Sequence, residues 1–393
     1  MTSRPVYAPW PFFAQDEIDA VTRVLSSGKV NYWTGEEGTA FEREFAAFHG
    51  VKHAIALANG SVALELALRV LGIGPGDEVV VTPRSFIASA SCAVLQGAIP
   101  VFADVDRESQ NITAQTIKKV LSPRTKAVIA VHHAGWPCGM DAIMELADEH
   151  HLKVIEDCAQ AHGAQYRGRY VGTFGHAAAF SFCQDKIMTT GGEGGMLLTD
   201  DEKVWSSAWS FKDHGKDYGS VFNKKHPPGF RWLHDSFGTN WRMTEMQAAI
   251  GRVQLRKLSP WVDIRRRNAS TLTDRLAELD AIRLTVPSPD VFHSYYKYYA
   301  FVRPERLKPG WDRDRIMGRI NEEGVPCFSG GCSEIYLEKA FSKTVGPQND
   351  RLPVARELGD TSLMFPVHPT LSAEDMLAMA RVVEKVMAEA GRA

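Results

Sequence analysis

Lys186 stands in AFSFCQDKIMTTGGEGGML (179–197), between an apolar run and a cluster of glycines, with Ser181 shortly before it. A lysine ammonium is a compact charge whose pKa falls readily on desolvation, and the neutral amine adds to carbonyls to form Schiff bases. Taken alone, Lys186 reads as a solvated turn residue. A nucleophilic role requires companions: something to bind a carbonyl compound, and elements that hold the binding groups beside the lysine.

The elements are legible. HAIALAN (53–59), DEVVVTP (77–83), IPVFADV (99–105), KAVIAVHH (126–133), LKVIEDC (152–158), AAAFSF (177–182) and GGMLLTD (194–200) are short runs rich in Val, Ile and Ala. Most lack polar alternation, as expected of strands buried on both faces. Between them lie the helical patterns SVALELALRVLG, SFIASASCAVLQG, TAQTIKKVLS and GMDAIMELADEHH. This alternation predicts a largely parallel sheet wrapped by helices, antiparallel in part because the last two runs are close in sequence. Beyond about residue 240 the pattern changes to long helices interrupted at Pro260, an aromatic strand SYYKYYAFVRP (294–304), a helix in DRDRIMGRINEEG and a last helix from Ser372 to Ala390. The expected organisation is a large domain over 1–250 and a smaller C-terminal α/β domain over 251–393, with the N-terminal segment able to pack on the small domain. KDYGSVFNKKHPPGFRWLHDSFG (216–238) is the longest piece without a pattern, and loops of that length are often functional.

Ligands of parallel α/β sheets gather at the carboxyl ends of strands. After the first run come Gly60 and Ser61, opening a helix whose free N–H groups suit an anion. After the second come Arg84, Ser85 and Phe86; Phe86 reads either as a stacking surface for a flat ring or as core. After the fifth, Glu156 and Asp157 precede Ala159-Gln160-Ala161-His162, and a carboxylate there is costly unless paired or hydrogen-bonded. Asp157 is either a cap or a partner for a cationic ring nitrogen. Ser181 and Lys186 follow the sixth. Pyridoxal 5′-phosphate needs all of these at once: a lysine for a Schiff base, an anion site, a flat apolar face, and a carboxylate that keeps the pyridine nitrogen protonated so the ring acts as an electron sink.

On these residues the chain resembles the DegT–DnrJ–StrS family of pyridoxal-phosphate sugar aminotransferases, which have the aspartate-aminotransferase-like (type I) fold. The matching stretches run the length of the chain: FEREFAAFHGVKHAIALANGSVALELAL (41–68), GIGPGDEVVVTPRSFIASA (72–90), PRTKAVIAVHHAGWPCGMD (123–141), VIEDCAQAHGA (154–164), AFSFCQDKIMTTGGEGGML (179–197) and TNWRMTEMQAAIG (239–251). The resemblance implies Lys186 as the Schiff-base lysine and proton shuttle, and Asp157 as the partner of the pyridine nitrogen. It implies Gln160 near the phenolic oxygen, Phe86 on the ring, and Gly60, Ser61 and Ser181 at the phosphate. Asn240 would reach the phosphate of a partner subunit, which implies a homodimer with shared active sites. Relatives with histidine in place of this lysine are dehydratases, so Lys186 favours transamination over a dehydratase reading. The implied reaction moves an amino group from L-glutamate to a nucleotide-linked keto sugar, a 4-keto-6-deoxy hexose on UDP, GDP or dTDP or, as an alternative, a 3-keto sugar, for polysaccharide or natural-product sugar biosynthesis.

Trp33, Arg84, His293 and Tyr336 are the candidate substrate residues; for His293 core or edge packing competes. The sequence departs from the family pattern in GVPCFSGGCSEIYLEKAF (324–341), where Gly330-Gly331-Cys332 precede Ser333, Glu334 and Tyr336. Arg84, Lys212, Lys216, Lys224, Lys225 and Arg231 are cations available to a nucleotide diphosphate, and the 216–238 loop is expected to close over it.

Bulk properties narrow the alternatives. In 393 residues the net charge is −2, against a nucleic-acid binder. No apolar run approaches the ~20 residues of a membrane span, and the N-terminus lacks the apolar core of a signal peptide. The six cysteines form no paired CxxC pattern, so no metal is expected, and free thiols in a reducing cytoplasm are the simplest reading. The segment ANGSVALE lacks the G-x-G-x-x-G of a dinucleotide-binding dehydrogenase.

Overall fold

The computed structural model describes residues 7–344 and 350–392. Each of the seven apolar runs forms a strand: β1 (His53–Leu57), β2 (Glu78–Val81), β3 (Ile99–Phe102), β4 (Thr125–Val131), β5 (Lys153–Asp157), β6 (Ala177–Ser181) and β7 (Gly195–Thr199). They make one sheet in the order β1-β7-β6-β5-β4-β2-β3. Five neighbouring strands are parallel, and β7 alone runs antiparallel to both β6 and β1. A parallel neighbour requires a crossover, whereas the short segment between β6 and β7 permits only reversal. That segment is the one carrying Lys186.

Helices Gly60–Val70 and Ala88–Leu95 pack one face of the sheet through Leu64, Leu68 and Ala93. On the other face, helix Glu37–His49 contributes Phe41 and Phe45, which pack against Phe180 and Phe182. The small domain is a three-stranded antiparallel sheet, β8 (Ile282–Leu284), β9 (Tyr298–Val302) and β10 (Ser362–Phe365), ordered β8-β9-β10 and covered by helices Arg313–Glu322 and Ala373–Ala390.

The expected break at Pro260 does not occur: one helix runs from Glu245 to Leu276. Proline removes the bond to the carbonyl four residues earlier. Here Pro260 and Arg256 are both exposed, so water can take the freed carbonyl, while buried Leu258 and Val262 pack on either side of the proline. Thr244 caps the start of this helix. The buried Glu245 carboxylate accepts the N–H groups of Glu37 (2.6 Å) and Gly38 (3.0 Å), tying the first turns of two helices together. The 216–238 segment contains one short helix, Tyr218–Phe222, and is otherwise irregular and largely exposed. The N-terminal segment lies on small-domain residues: Thr370 donates to the Pro9 carbonyl at 3.0 Å, and the Trp10 ring stacks on His368.

Gly195 begins β7 where a Cβ would overlap the carbonyl of Asn59, the residue that caps helix Gly60–Val70. Gly195→Ala must displace that turn. Its expected cost is about 1–3 kcal/mol, read as a lowered midpoint in urea, together with weaker cofactor uptake because the displaced turn is the anion site described next.

Candidate active site

At the carboxyl ends of the strands lies a cavity of about 1150 Å³. Gly60, Ser61, Phe86, Asp157, Gln160, Ser181 and Lys186 all line it. Strands β1, β5 and β6 each run toward this cavity, and the residues at or a few positions past their ends differ in what they supply.

The anion end is helix Gly60–Val70. The Asn59 side chain takes the N–H of Val62 at 3.0 Å and the Asn59 carbonyl takes that of Ala63 at 3.3 Å. The first-turn N–H groups of Gly60 and Ser61 are left over, as at any helix start, and point of attraction is added by the helix dipole. A Cβ on Gly60 would come 2.6 Å from Ser181 Cβ and 3.1 Å from its Cα, so only glycine lets these strand ends meet.

The Asp157 carboxylate is buried, with Oδ2 accepting the Ser89 hydroxyl at 2.7 Å and Oδ1 the N–H of Ala159 at 3.1 Å. Two donors leave lone pairs for a ligand cation. Gln160 Oε1 accepts the N–H of Ala134 at 2.8 Å, which commits the carbonyl and leaves the amide NH2 as the donor end. Phe86 keeps 68% of its surface exposed although it lines the cavity, an apolar face open to a flat ligand.

Lys186 is held by its backbone: its N–H donates to Cys183 at 3.1 Å and its carbonyl accepts Trp10 Nε1 at 2.9 Å. Its Nζ lies 3.9 Å from Asp185 Oδ1 and 5.0 Å from the centre of the Tyr296 ring. Asp185 also accepts the Tyr296 hydroxyl and faces Lys297 Nζ at 3.8 Å. Burial raises the Asp185 pKa, but Lys186, the Tyr296 hydroxyl and Lys297 outweigh it, so the carboxyl is held below its ordinary value. Asp185, Tyr296 and Lys297, and Ser89 behind Asp157, do not stand out in the sequence. Ser89 lies in the apolar pattern of helix Ala88–Leu95, Tyr296 and Lys297 on the bend just before β9, and Asp185 next to the lysine carries no pattern of its own.

The four candidate substrate residues fall elsewhere. Trp33 donates Nε1 to Asp213 at 3.1 Å and packs on Trp209 and Phe222, outside the cavity lining. His293 is buried and stacked on Tyr295 with ring centres 3.8 Å apart, and burial and Arg266 push its pKa down to about 3; it is a packing residue in this chain. Tyr336 is buried in the core against Phe102, its hydroxyl bound to Glu334 and to the Leu352 N–H. Arg84 is fully buried rather than a cation of the open cleft, with Nε on Gln110 at 3.0 Å and Nη1 on Ser333. Lys212 is likewise buried, 3.6 Å from Asp213 and over the Tyr32 ring. In both cases the charged end itself is taken inside, by Gln110, Ser333 and the Tyr299 ring for Arg84 and by Asp213 and the Tyr32 ring for Lys212, which a count of cations along the chain does not reveal. Asn240 is exposed and lies outside the cavity of its own chain.

A lysine, an anion-binding helix start, a buried carboxylate with spare lone pairs and an exposed aromatic face fit pyridoxal 5′-phosphate. Lys186 would hold its aldehyde, Asp157 its ring nitrogen, and Gly60, Ser61 and Ser181 its phosphate. Fold and donor set together define a pyridoxal-phosphate-dependent aminotransferase of the aspartate-aminotransferase-like type.

The comparisons agree. Residues 12–387 match the model of the DegT/DnrJ/EryC1/StrS aminotransferase family. The crystal structure of an aminotransferase from Psychrobacter cryohalolentis is similar at a TM-score of 0.96 and 55% identity, covering 98% of this chain and 99% of that one. The dTDP-3-amino-3,4,6-trideoxy-alpha-D-glucose transaminase of Streptomyces venezuelae is 35% identical over 93% of this chain and 90% of its own length. GDP-perosamine synthase of Escherichia coli O157:H7 is 33% identical over 97% of this chain and 98% of its own. The chain belongs to the DegT/DnrJ/EryC1/StrS family and is a pyridoxal-phosphate-dependent sugar aminotransferase. Among the described residues no helix is long and apolar enough to cross a membrane.

Asp157→Asn keeps the shape of the site and removes its negative charge. A neighbouring carboxylate is worth about 1–3 pKa units to a cationic partner. Turnover at neutral pH is expected to fall by about a hundredfold in a steady-state assay while the protein still takes up cofactor.

Proposed function

We propose that the enzyme moves an amino group from L-glutamate to a nucleotide-linked keto sugar, a 4-keto-6-deoxy hexose or, as the name of the Streptomyces relative suggests, a 3-keto sugar. The observation that carries this reading is that Lys186, Asp157 and the free turn at Gly60 and Ser61 line one cavity, beside family membership over nearly the whole chain. Bound pyridoxal phosphate supplies the electron sink. This chain's part is to orient it and to move a proton. Lys186 Nζ would be the base that moves the proton on the donor's α-carbon: it lines the cavity on the connection that follows Ser181, whereas Lys297, also in the lining, faces Asp185 at 3.8 Å. Asp185 and Tyr296 hold that amine in place from behind.

The proposed assembly is a homodimer with shared sites. Phe230, Trp232 and Phe237 on the 216–238 loop are 81%, 85% and 100% exposed, a cost in water that burial against a second subunit would remove. Asn240 lies at the base of the same loop, exposed, where it would face the partner's phosphate. Lys225 and Arg231 are exposed on the loop and remain candidates for the diphosphate, whereas Lys224 donates to Ser220 at 2.9 Å.

Purified protein should absorb in the visible through lysine-bound cofactor, and Lys186→Ala should lose both that band and at least about 10²-fold in turnover. A screen of nucleotide keto sugars with glutamate, read by the mass of the aminated product, identifies the acceptor; no amine transfer to any of them would refute the proposed substrate class. Lys225→Ala combined with Arg231→Ala is expected to raise the KM for the nucleotide sugar severalfold in the same assay, and an unchanged KM removes the loop from the nucleotide site.

A further inference from the structure

One carboxylate serves two amines in the cavity. Asp185 Oδ1 faces Lys186 Nζ at 3.9 Å, while Oδ2 accepts the Tyr296 hydroxyl and faces Lys297 Nζ at 3.8 Å. Both amines also stand over the same ring, 5.0 and 4.7 Å from the centre of Tyr296. Lys186 and Lys297 are the two cations of the lining, with side chains 14% and 21% exposed. A third cation stands behind them: fully buried Arg265 donates to the carbonyls of Tyr295 and Tyr296, and its Nε and Nη2 have no partners. Among the described residues, Asp185 is the only carboxylate in ion-pair range of either lysine. The two histidines nearby add no charge. Burial, with Lys186 acting on His162 and with Arg265 and Lys297 acting on His368, pushes both down to about 3.

The backbone that delivers Lys297 is pinned to the large domain. Ser294 and Tyr296 donate their N–H groups to the carbonyls of Gly135 (3.0 Å) and Ala134 (2.8 Å), just past β4. Between them Tyr295 sits at φ 47°, a left-handed setting uncommon for a tyrosine. The bend is held in this conformation where it presents Tyr296 and Lys297 to the cavity, and strain of that kind persists only where surrounding contacts impose it.

A lone carboxylate beside Lys186 would pair with its ammonium and keep the proton bound. A second cation on the other oxygen draws the carboxylate away and offsets part of its field. Burial raises the Asp185 pKa, but Lys186, the Tyr296 hydroxyl and Lys297 outweigh it, so the carboxyl is ionised. Burial lowers the Lys297 pKa, and Asp185 opposes that fall. Neither amine is at hydrogen-bond distance from the carboxylate, whose close donor is the Tyr296 hydroxyl.

We infer that Lys297 is a positioning residue for the reaction: with the Tyr296 hydroxyl it engages Asp185, so that the carboxylate orients Lys186 without capturing it. The inference rests on Lys186 being the lysine that binds the cofactor, and it is independent of which sugar accepts the amine.

The test uses holoenzyme and the visible band of the lysine-bound cofactor, which changes form when the imine nitrogen gains its proton. A negative neighbour favours the protonated form, so the pH at which the band converts reads the field at that nitrogen. Lys297→Met leaves Asp185 unopposed and should move the conversion up by about half a pH unit or more. Lys297→Arg keeps the charge and should stay near wild type. Asp185→Asn should move the conversion down. Adding Lys297→Met to Asp185→Asn should shift it by less than about half as much as in the wild-type background. An unmoved conversion in Lys297→Met and Lys297→Gln proteins that keep the band overturns the inference. So does an equal shift in both backgrounds, which makes Lys297 a direct neighbour of the imine and not a partner of Asp185. Asp185→Asn that leaves the conversion in place overturns it too, and decides the matter if the Lys297 variants lose the cofactor. A merely structural Lys297 would lower stability and cofactor retention with the conversion unmoved. If the band holds one form across the accessible pH range, the pH profile of its bleaching by L-glutamate supplies the same comparison. Wild type that shows no visible band with added cofactor would instead overturn Lys186 as the cofactor lysine.

Discussion

The first turn of helix Gly60–Val70 rests directly on the ends of β6 and β7, and the site depends on that contact. Gly60 abuts Ser181, and Gly195 abuts Asn59, at separations no side chain could share. The close approach places the unspent N–H groups of Gly60 and Ser61 beside Ser181, with Lys186 on the connection that follows β6. β7 enters between β6 and β1 beside this contact, as the one reversed strand in a sheet otherwise parallel. The glycines after Lys186 serve the same reversal: Gly191 and Gly192 both have positive φ, at 86° and 127°.

Around this contact the polar groups divide by how completely they are satisfied. Glu156, one residue from Asp157, accepts His132 at 3.0 Å and the N–H groups of Gly172, Phe174 and Gly175 at 2.7 Å each. Burial alone would raise its pKa, but these donors bring it below its ordinary value, and nothing is left for a ligand. His132 and Cys158 lie close enough to Glu156 to resemble a metal set, yet His132 accepts the Cys138 N–H through its other nitrogen, so the group is a closed structural network. Asp157, with two donors, lines the cavity, as does His133, whose ring nitrogens are unbonded; Arg84 Nη2, His162 and two nitrogens of Arg265 are unbonded outside the lining.

Helix Glu245–Leu276 joins the two halves of the molecule. It packs on helices Gln15–Ser27 and Glu37–His49 at one end and on Ala373–Ala390 at the other. Its Arg265, fully buried, donates to the carbonyls of Tyr295 and Tyr296, the latter beside the lysine. Cofactor residues from the large domain and cavity walls from the small domain are thereby held by one continuous element.

The sequence by itself determined the seven strands, their largely parallel pairing and the cofactor constellation, because runs buried on both faces carry an unbroken apolar signal and a parallel sheet puts ligand groups at predictable strand ends. It also carried the family, through Lys186 and Asp157 in their local settings. It did not determine the continuity of the helix through Pro260, which hinged on that residue's facing water. Nor did it reveal that Arg84 and Lys212 are buried, that His293 and Tyr336 are packing residues, or that His133 stands unpartnered at the cavity wall. Those are properties of side-chain environment. Environment is set by residues distant along the chain, such as Ser333 against Arg84 and Tyr299 against His133, and only the tertiary structure brings them together.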